Sequence, residues 1–218
     1  MVQAVGIIAD IVGSRDLEDR PAAQRAILQA FERAQDSVPV EQEAWATVGD
    51  EFQVITATWQ DALRMTLRVQ VELPEELRLR FGIGVGQINT IGDSRAGPIQ
   101  DGAAWLNARA AIEEVEQHQQ HQDEVLTGFR SDDASLTAAV TAQLLMRDHI
   151  VARMKARERR LFAALLSGAT QQEAAREEKI SQAAVSQAVH RSGAIALLTA
   201  DNVLQSQSAQ AKESTTCS

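Results

Sequence analysis

The sequence is poor in cysteine and aromatic residues, and it lacks tyrosine. Its 218 residues include one cysteine, Cys217, three Trp, five Phe and no Tyr. One cysteine excludes an internal disulfide framework, so we expect a reducing, cytoplasmic setting. The interior must come mainly from Ala, Val, Leu and Ile. No apolar run approaches the roughly 20 residues of a membrane span, and no basic segment precedes the first apolar run, so we expect no membrane partner and no signal peptide.

Positive charge is in the minority and is unevenly distributed. The formal net charge is −9, yet residues 153–192 hold eight basic and four acidic side chains. An acidic protein does not wrap nucleic acid with its whole surface, whereas a local basic block is typical of a module that contacts phosphates. At roughly 100 to 200 residues per domain, the length allows one or two domains.

Residues 4–15, AVGIIADIVGSR, carry the first candidate site. The apolar run leads directly into Asp10, and such runs are typical of central strands covered on both faces. The loop that follows combines a glycine, which adopts unusual backbone angles freely, with a hydroxyl and a guanidinium group. We predict a nucleotide or phosphate loop formed by Ile11, Val12, Gly13, Ser14 and Arg15.

A second stretch supports this prediction. Residues 45–48 and 51–58 have the composition of strands, and Gly49-Asp50 between them suits a tight hairpin. If the hairpin lies beside the first strand, the carboxylates of Asp10 and Asp50 converge. Two close anions with no counter-charge evident in the sequence need a cation, and we predict magnesium. The alternative is that these residues form only a strand end and a turn.

The middle of the chain alternates between helical and strand patterns. Residues 77–88 alternate so that Gly82, Gly84 and Gly86 share one face. A row of glycines marks close approach by a packed helix or by a ligand, and we favour the helix. The next helix should begin after Asp101 and carry Trp105 on its apolar stripe. The order of these elements predicts an α+β fold.

From residue 133 onwards the pattern is helical. Residues 170–189, TQQEAAREEKISQAAVSQAV, have the spacing of a helix-turn-helix, although Lys179 occupies the turn position where glycine is commonest. The second helix would then enter the major groove. The alternative is an ordinary helical hairpin packed on the first domain. The predicted DNA-binding residues are Gln171, Gln172, Ser181, Gln182, Ser186, Gln187, His190 and Arg191.

Several sequence blocks together resemble the bacterial SatD family. They are DIVGSR, VGDEFQ, RFGIGVG, DGAAWLNARAAIE and SQAAVSQAV. The amino-terminal part in turn resembles the palm-type core of class III nucleotidyl cyclases and GGDEF-type diguanylate cyclases. That resemblance implies a ferredoxin-like sheet with helices on one face and metal-binding carboxylates at Asp10 and Asp50, with Glu51 as a third candidate. These cyclases also carry an Asn and an Arg four residues apart on a later helix. Here Asn107 and Arg109 are two apart, about 200° round a helix, which argues against cyclisation by that mechanism.

We therefore predict an α+β chain with a ferredoxin-like (palm/cyclase-like) domain over residues 1–130. An all-α helix-turn-helix domain should follow over residues 131–204, and a polar, disordered tail over residues 205–218. The leading hypothesis is a cytoplasmic, homodimeric DNA-binding regulator whose palm-like domain senses a nucleotide through magnesium. One alternative is a magnesium-dependent nucleotidyl-transfer or NTP-hydrolysing enzyme. Another is a non-catalytic scaffold.

Overall fold

The computed structural model of the protein describes residues 4–47, 50–94 and 97–216. The predicted α+β class is confirmed, with a mixed five-stranded sheet, a separate two-stranded hairpin and eight α-helices in the described residues. The strands are β1 (Ala4–Ile11), β2 (Gln42–Ala46), β3 (Glu51–Thr56), β4 (Leu79–Gly86), β5 (Asn89–Ser94), β6 (Gly97–Asp101) and β7 (Thr127–Arg130). The helices are α1 (Arg20–Gln35), α2 (Trp59–Glu72), α3 (Ala103–His118), α4 (Ala134–Ala152), α5 (Ala156–Leu166), α6 (Gln171–Glu177), α7 (Gln182–Arg191) and α8 (Ala194–Thr216).

Strand β1 is the centre of the sheet. The spatial order is β2-β3-β1-β4-β7, with β1 antiparallel to both β3 and β4, and β7 parallel to β4 at the edge. The apolar run of β1 is buried on both faces, as expected for a central strand covered by helices. This position brings the end of β1 close to the ends of two neighbouring strands.

The two faces of β1 contact different helices. Val5, Ile7 and Ala9 join the large core that also includes residues of α1 and α2. Gly6 and Ile8 point to the opposite face, where Ile8 packs against α3. Asp10 follows the same alternation and therefore lies on the α3 face.

The glycines of β4 allow α3 to pack directly on the sheet. A Cβ atom on Gly84 would lie 2.1 Å from the carbonyl oxygen of Ala104, and one on Gly82 would lie 2.1 Å from that of Ala108. The structure thus assigns the glycine row to helix packing, as predicted. The expectation of helices on one face only is corrected, because α1 and α2 cover one face and α3 covers the other.

The carboxy-terminal helices share their core with the amino-terminal part. Leu67 and Val71 of α2 belong to the same buried cluster as Phe162 of α5 and Val185 of α7. A separate all-α helix-turn-helix domain is therefore not what the structure shows. Helices α6 and α7 are joined by a turn in which Lys179 has a φ of 54°, the left-handed angle that glycine usually supplies. The domain limits at residues 130 and 204 stay predictions.

Buried ion pairs link α8 to α2. Arg68 donates through Nη1 and Nη2 to the carboxylate of Asp201 at 2.6 and 2.9 Å, and Arg64 Nε donates to the same carboxylate at 3.3 Å. Further along α8, the hydroxyl of Ser208 donates to Asp61 at 2.7 Å. Helix α8 continues to Thr216, whereas residues 205–218 are predicted from sequence to be disordered. Sequence composition could not reveal this anchoring contact between Ser208 and Asp61, which are far apart in the chain.

None of the helices in the described part of the chain has the length and hydropathy that crossing a membrane requires.

Candidate functional site

The candidate site is at the carboxyl end of β1, on the face covered by α3. The register pairs Asp10 with Glu51 of β3 on one side and with Arg80 of β4 on the other. Paired residues of neighbouring antiparallel strands point to the same face of a sheet. The side chains of these three residues therefore lie together.

Arg80 is the counter-charge of Asp10. Its Nε donates to Asp10 Oδ1 at 2.8 Å, and its Nη1 lies 3.1 Å from Glu116 of α3. Burial raises the pKa of Asp10 above its ordinary value, the hydrogen bond and charge of Arg80 oppose that rise, and the negative charges of Asp50 and Glu116 add to it. The sequence-based statement that no counter-charge is available is therefore wrong.

Asp50 lies close enough to Asp10 for its charge to raise the Asp10 pKa. It is half-buried in the connection between β2 and β3, which the Thr47 N–H closes by donating to the Glu51 carbonyl oxygen at 2.9 Å. Val48 and Gly49, the remainder of the predicted hairpin tip, lie outside the described residues. The charge of Asp50 therefore acts on Asp10, and a shared metal-binding role of the two aspartates stays a prediction.

Glu51 makes contacts of its own. Its Oε2 accepts a hydrogen bond from Arg109 Nη2 at 2.5 Å, and its Oε1 accepts one from Gln53 Nε2 at 3.0 Å. Both oxygens are therefore engaged within the protein. Glu51 shares the face of Asp10, so its orientation permits a metal-binding role, but its contacts hold it towards α3.

The five residues of the predicted phosphate loop divide into two groups. Ile11 is buried and paired with Leu79, and the Val12 N–H donates to the Arg78 carbonyl oxygen at 3.0 Å. Gly13 has a left-handed φ of 69° and starts a 3₁₀ helix at Ser14–Asp16. Gly13 and Arg15 are exposed and Ser14 is half-buried. The exposed positions of the loop are thus Gly13 and Arg15, whereas Val12 and Ser14 are both half-buried.

Asn107 and Arg109 point to different targets, as their spacing predicts. Asn107 Nδ2 donates to the Val85 carbonyl oxygen at 2.8 Å, whereas Arg109 reaches Glu51. Ala111, four residues after Asn107, is fully buried. The described residues of α3 therefore offer no Asn–Arg pair four residues apart at this site.

Sequence reasoning missed three charged residues of the site. Arg80, Arg109 and Glu116 come from β4 and α3, and each contacts a carboxylate or an arginine of the cluster. One signal was available for Arg80, since it stands at the start of the glycine-rich strand just as Asp10 stands at the end of β1. Recognising it required the antiparallel register of the two strands.

The donor chemistry of the pair Asp10 and Asp50 fits magnesium. Magnesium prefers oxygen ligands and commonly takes one or two protein carboxylates, with water and substrate phosphates completing its shell. Burial is the main cause of the raised pKa of Asp10 and the charge of Asp50 adds to it, and a cation bound between the two carboxylates would relieve that repulsion. Within the described residues, no group of three or more His, Cys, Asp or Glu side chains is placed to hold a metal ion.

The predicted DNA-binding residues lie on α6, α7 and the turn before α7. Ser181 caps α7 by accepting the Ala184 N–H at 3.2 Å, and Gln182 is exposed beside it. Gln172, Gln187, His190 and Arg191 are also exposed, and Gln171 and Ser186 are half-buried. Arg191 forms an ion pair with Glu158 at 2.8 Å, and Arg157 and Arg160 both pair with Glu178. Three of the eight basic side chains in residues 153–192 are therefore paired with glutamates within the protein.

The model of the SatD family matches residues 4–201. The chain belongs to the SatD family. The match spans the sheet and the carboxy-terminal helices of this SatD-family chain together. No curated protein matches the sequence.

Several solved structures resemble part of this SatD-family chain. Adenylate cyclases from Trypanosoma brucei match with a TM-score of 0.43 and 17% identity over 53% of this chain and 70% of theirs. The guanylate cyclase domain of RhGC from Catenaria anguillulae, in complex with GTP, matches with a TM-score of 0.39 and 14% identity over 49% of this chain and 70% of that domain. The adenylyl cyclase CyaB from P. aeruginosa matches with a TM-score of 0.34 and 19% identity over 50% of this chain and 70% of that structure.

These findings correct the leading functional hypothesis. The prediction of a DNA-binding regulator is wrong: one family match covers both halves of the chain, and the carboxy-terminal helices share a core with α2 instead of forming a separate helix-turn-helix domain. The contacts agree with this correction, since the arginine predicted to meet DNA phosphate is paired with Glu158. The homodimer prediction, which depends on two DNA half-sites, loses its basis.

Proposed function

We propose that the protein is a metal-dependent enzyme that transfers a nucleotidyl or phosphoryl group from a nucleoside triphosphate. The observation that carries this proposal is the position of Asp10 at the end of β1, where the charge of Asp50 acts on it, next to the loop at residues 13–15. A carboxylate with a raised pKa beside a loop suited to oxyanions is the arrangement that phosphoryl-transfer chemistry uses. The cytoplasmic setting expected from the sequence agrees with such a substrate.

Asp10 and Asp50 would hold magnesium in this proposal. When bound, magnesium neutralises charge on the phosphates and aligns the attacking and leaving oxygens. Glu51 is not assigned as a ligand, because Arg109 and Gln53 already occupy its oxygens.

Arginines of this chain position the carboxylates and the substrate. Arg80 holds Asp10 through Oδ1, which fixes the direction of the other carboxylate oxygen. Arg15 forms no ion pair with any described residue and is exposed, so its guanidinium group is available to a triphosphate. Arg109 holds Glu51 beside this pair and keeps that carboxylate charge neutralised.

The fold supports the proposal at a coarser level. The elements β1-α1-β2-β3-α2-β4 with the order β2-β3-β1-β4 correspond to a ferredoxin-like arrangement, to which β7 adds a parallel edge strand. We propose that this part is a palm-type core. In that arrangement one metal-binding carboxylate ends β1 and the other lies on the hairpin before β3, which are the positions of Asp10 and Asp50 in this chain.

Transfer to a separate acceptor or to water is favoured over cyclisation. Asn107 is bound to the backbone of β4, Arg109 to Glu51, and the position four residues after Asn107 is a buried alanine. The side chains on α3 that would stabilise a cyclising nucleotide are therefore not assembled within the described residues.

The test is turnover by the purified full-length chain. We would incubate it with each nucleoside triphosphate and magnesium or manganese, and identify the products by ion-exchange chromatography and mass spectrometry. We expect pyrophosphate or inorganic phosphate, and a loss of at least about 100-fold in rate for Asp10→Asn and for Asp50→Asn. Asp10→Asn keeps an oxygen for Arg80 and so preserves the fold.

The matched control is Asp132→Asn, which removes one exposed carboxylate outside the site. It should leave the rate unchanged. Equal turnover by wild type and Asp10→Asn would reject the assigned residues. Absence of turnover with every nucleotide and metal would reject the enzyme and favour the scaffold hypothesis.

A further inference from the structure

A second cleft lies apart from the candidate active site. It has a volume of about 430 Å³ and lies between the end of α2, the segments before β4 and β7, the end of α4 and the start of α5. Its lining includes Gln70, Arg78 and Arg159, and none of Asp10, Asp50 and Glu51. It is therefore a distinct cleft with its own polar groups.

Two arginines of the cleft are held by neutral oxygens. Arg159 Nε donates to the Val71 carbonyl oxygen at 3.2 Å, and its Nη2 donates to that of Gln70. Arg78 Nη2 donates to the carbonyl oxygen of Asp123. Neither arginine forms an ion pair with any residue in the described part of the chain. Burial lowers the pKa of Arg159, and the neighbouring charge of Arg78 lowers it further, although Glu75 opposes this.

Gln70 supplies a second and independent observation. Its side chain is only 5% exposed, it lines the cleft, and its Oε1 atom has no hydrogen-bond partner among the described residues. A buried acceptor without a partner costs free energy, about 1 to 3 kcal/mol in mutational data. Such a cost is recovered when a ligand brings a hydrogen-bond donor to that oxygen.

Two of the three acidic side chains of the lining, Glu75 and Asp123, are exposed. The third, Glu124, is half-buried like Arg78 and Arg159, and it lies 3.4 Å from His149. The less exposed part of the lining thus presents two guanidinium groups, the Gln70 acceptor and the Glu124 carboxylate. Two guanidinium groups match the double negative charge of a phosphate, and the volume exceeds that of phosphate alone.

We propose that this cleft binds a small phosphate ester that carries a hydroxyl group, with its phosphate on Arg78 and Arg159 and its donor on Gln70 Oε1. The proposal does not depend on catalysis at Asp10. It concerns a separate binding site, so either one can fail while the other stands.

The test compares two dianions that differ in one hydrogen-bond donor. At pH 7.5 inorganic phosphate is mainly HPO₄²⁻, which carries a hydroxyl, whereas sulfate carries none. Isothermal titration of the full-length protein, at constant ionic strength, should give about tenfold tighter binding of phosphate than of sulfate. Glycerol 3-phosphate should bind more tightly than inorganic phosphate, because it fills more of the cleft.

Three variants assign the binding to the cleft. Gln70→Leu should abolish the preference for phosphate over sulfate and should not lower the melting temperature of the unliganded protein, since it removes the unpartnered oxygen. Arg78→Gln should lower the affinity for phosphate and for sulfate at least about tenfold. Arg159→Gln should do the same, and Arg78→Gln keeps the test decisive if loss of Arg159 disturbs the end of α2.

The controls locate the site. Arg25→Gln removes one exposed arginine of α1 and should leave the binding of both anions unchanged. Arg15→Gln distinguishes this cleft from the loop beside Asp10, because a loss of phosphate binding in that variant alone would place the anion at the loop. The proposal is overturned if wild type does not bind phosphate, if it binds phosphate and sulfate alike, if Arg78→Gln binds as wild type does, or if Arg15→Gln alone loses binding.

Discussion

At the residue scale, the unusual feature is a half-buried carboxylate, Asp10, whose charge is only partly compensated. Asp10 has an arginine partner, yet burial and the charge of Asp50 still raise its pKa. The ionised form is therefore less favourable in the folded protein than in the unfolded chain. Proteins retain such groups mainly where chemistry needs them.

This imbalance has a consequence for stability. Because the folded-state pKa of Asp10 lies above the unfolded value of 3.8, the folded protein keeps a proton that the unfolded chain has released. Stability contributed by this group is present below pH 3.8 and is lost as the pH rises through the folded-state value. In thermal melts with EDTA, Asp10→Asn should therefore melt at a higher temperature than wild type at pH 8. The difference should shrink towards pH 4, and a difference independent of pH would contradict this explanation.

At the element scale, the position of α3 depends on the glycines of β4. A Cβ on Gly84 would lie 2.1 Å from the Ala104 carbonyl oxygen and 2.2 Å from the Ala108 nitrogen. Backbone atoms of a packed helix cannot yield as a flexible side chain can. The helix must move away from the sheet if this glycine is replaced, and Arg109 and Glu116 would move with it.

Gly84→Ala should therefore destabilise the protein by about 3 kcal/mol, at the upper end of the usual cost of overpacking. Urea unfolding followed by circular dichroism measures this difference. Gly92→Ala is the matched control, because the nearest atom to its new Cβ is Ile99 Cδ1 at 3.9 Å. It should cost no more than about 1 kcal/mol relative to wild type. Equal costs at the two positions would mean that α3 does not pack on β4 as described.

At the scale of the whole molecule, buried ion pairs join the carboxy-terminal helix α8 to α2, the helix that packs on the sheet. Asp201 of α8 accepts hydrogen bonds from Arg64 and Arg68 of α2, and all three side chains are at most 6% exposed. Separating α8 from α2 would break these pairs and leave uncompensated charges, which is costly. The two parts of the chain should therefore unfold as one unit in the wild type.

Asp201→Ala should cost about 3 to 5 kcal/mol, because it leaves two buried arginines without this partner. Tryptophan fluorescence reports on the amino-terminal part, where Trp45, Trp59 and Trp105 lie, and circular dichroism reports on all helices. The two transitions should coincide in wild type and separate in Asp201→Ala. Glu72→Ala, which breaks the more exposed pair with Arg33, should cost at most about 1 kcal/mol. A similar small cost for Asp201→Ala would contradict the role given to this contact.

Local patterns predicted the order of elements and the glycine face of β4, because hydrophobic alternation and glycine spacing are visible along the chain. They also selected Asp10 and Asp50 as candidate metal ligands, and this role stays a prediction. They did not predict Arg80 as the partner of Asp10, because that contact depends on how β1 and β4 align. Nor did they predict Arg68 with Asp201, which are 133 residues apart. The helix-turn-helix spacing led to the wrong prediction of a DNA-binding regulator, because that spacing reports local geometry and not what the helices contact.

Binding of Mn²⁺, measured by electron paramagnetic resonance with and without a non-hydrolysable nucleoside triphosphate, tests whether Asp10 and Asp50 hold a metal ion. We expect the wild type to bind Mn²⁺ and the nucleotide to increase its affinity. Asp10→Asn and Asp50→Asn should abolish this binding, and Glu51→Gln should retain it. Mn²⁺ binding that is the same in wild type, Asp10→Asn and Asp50→Asn would contradict this assignment.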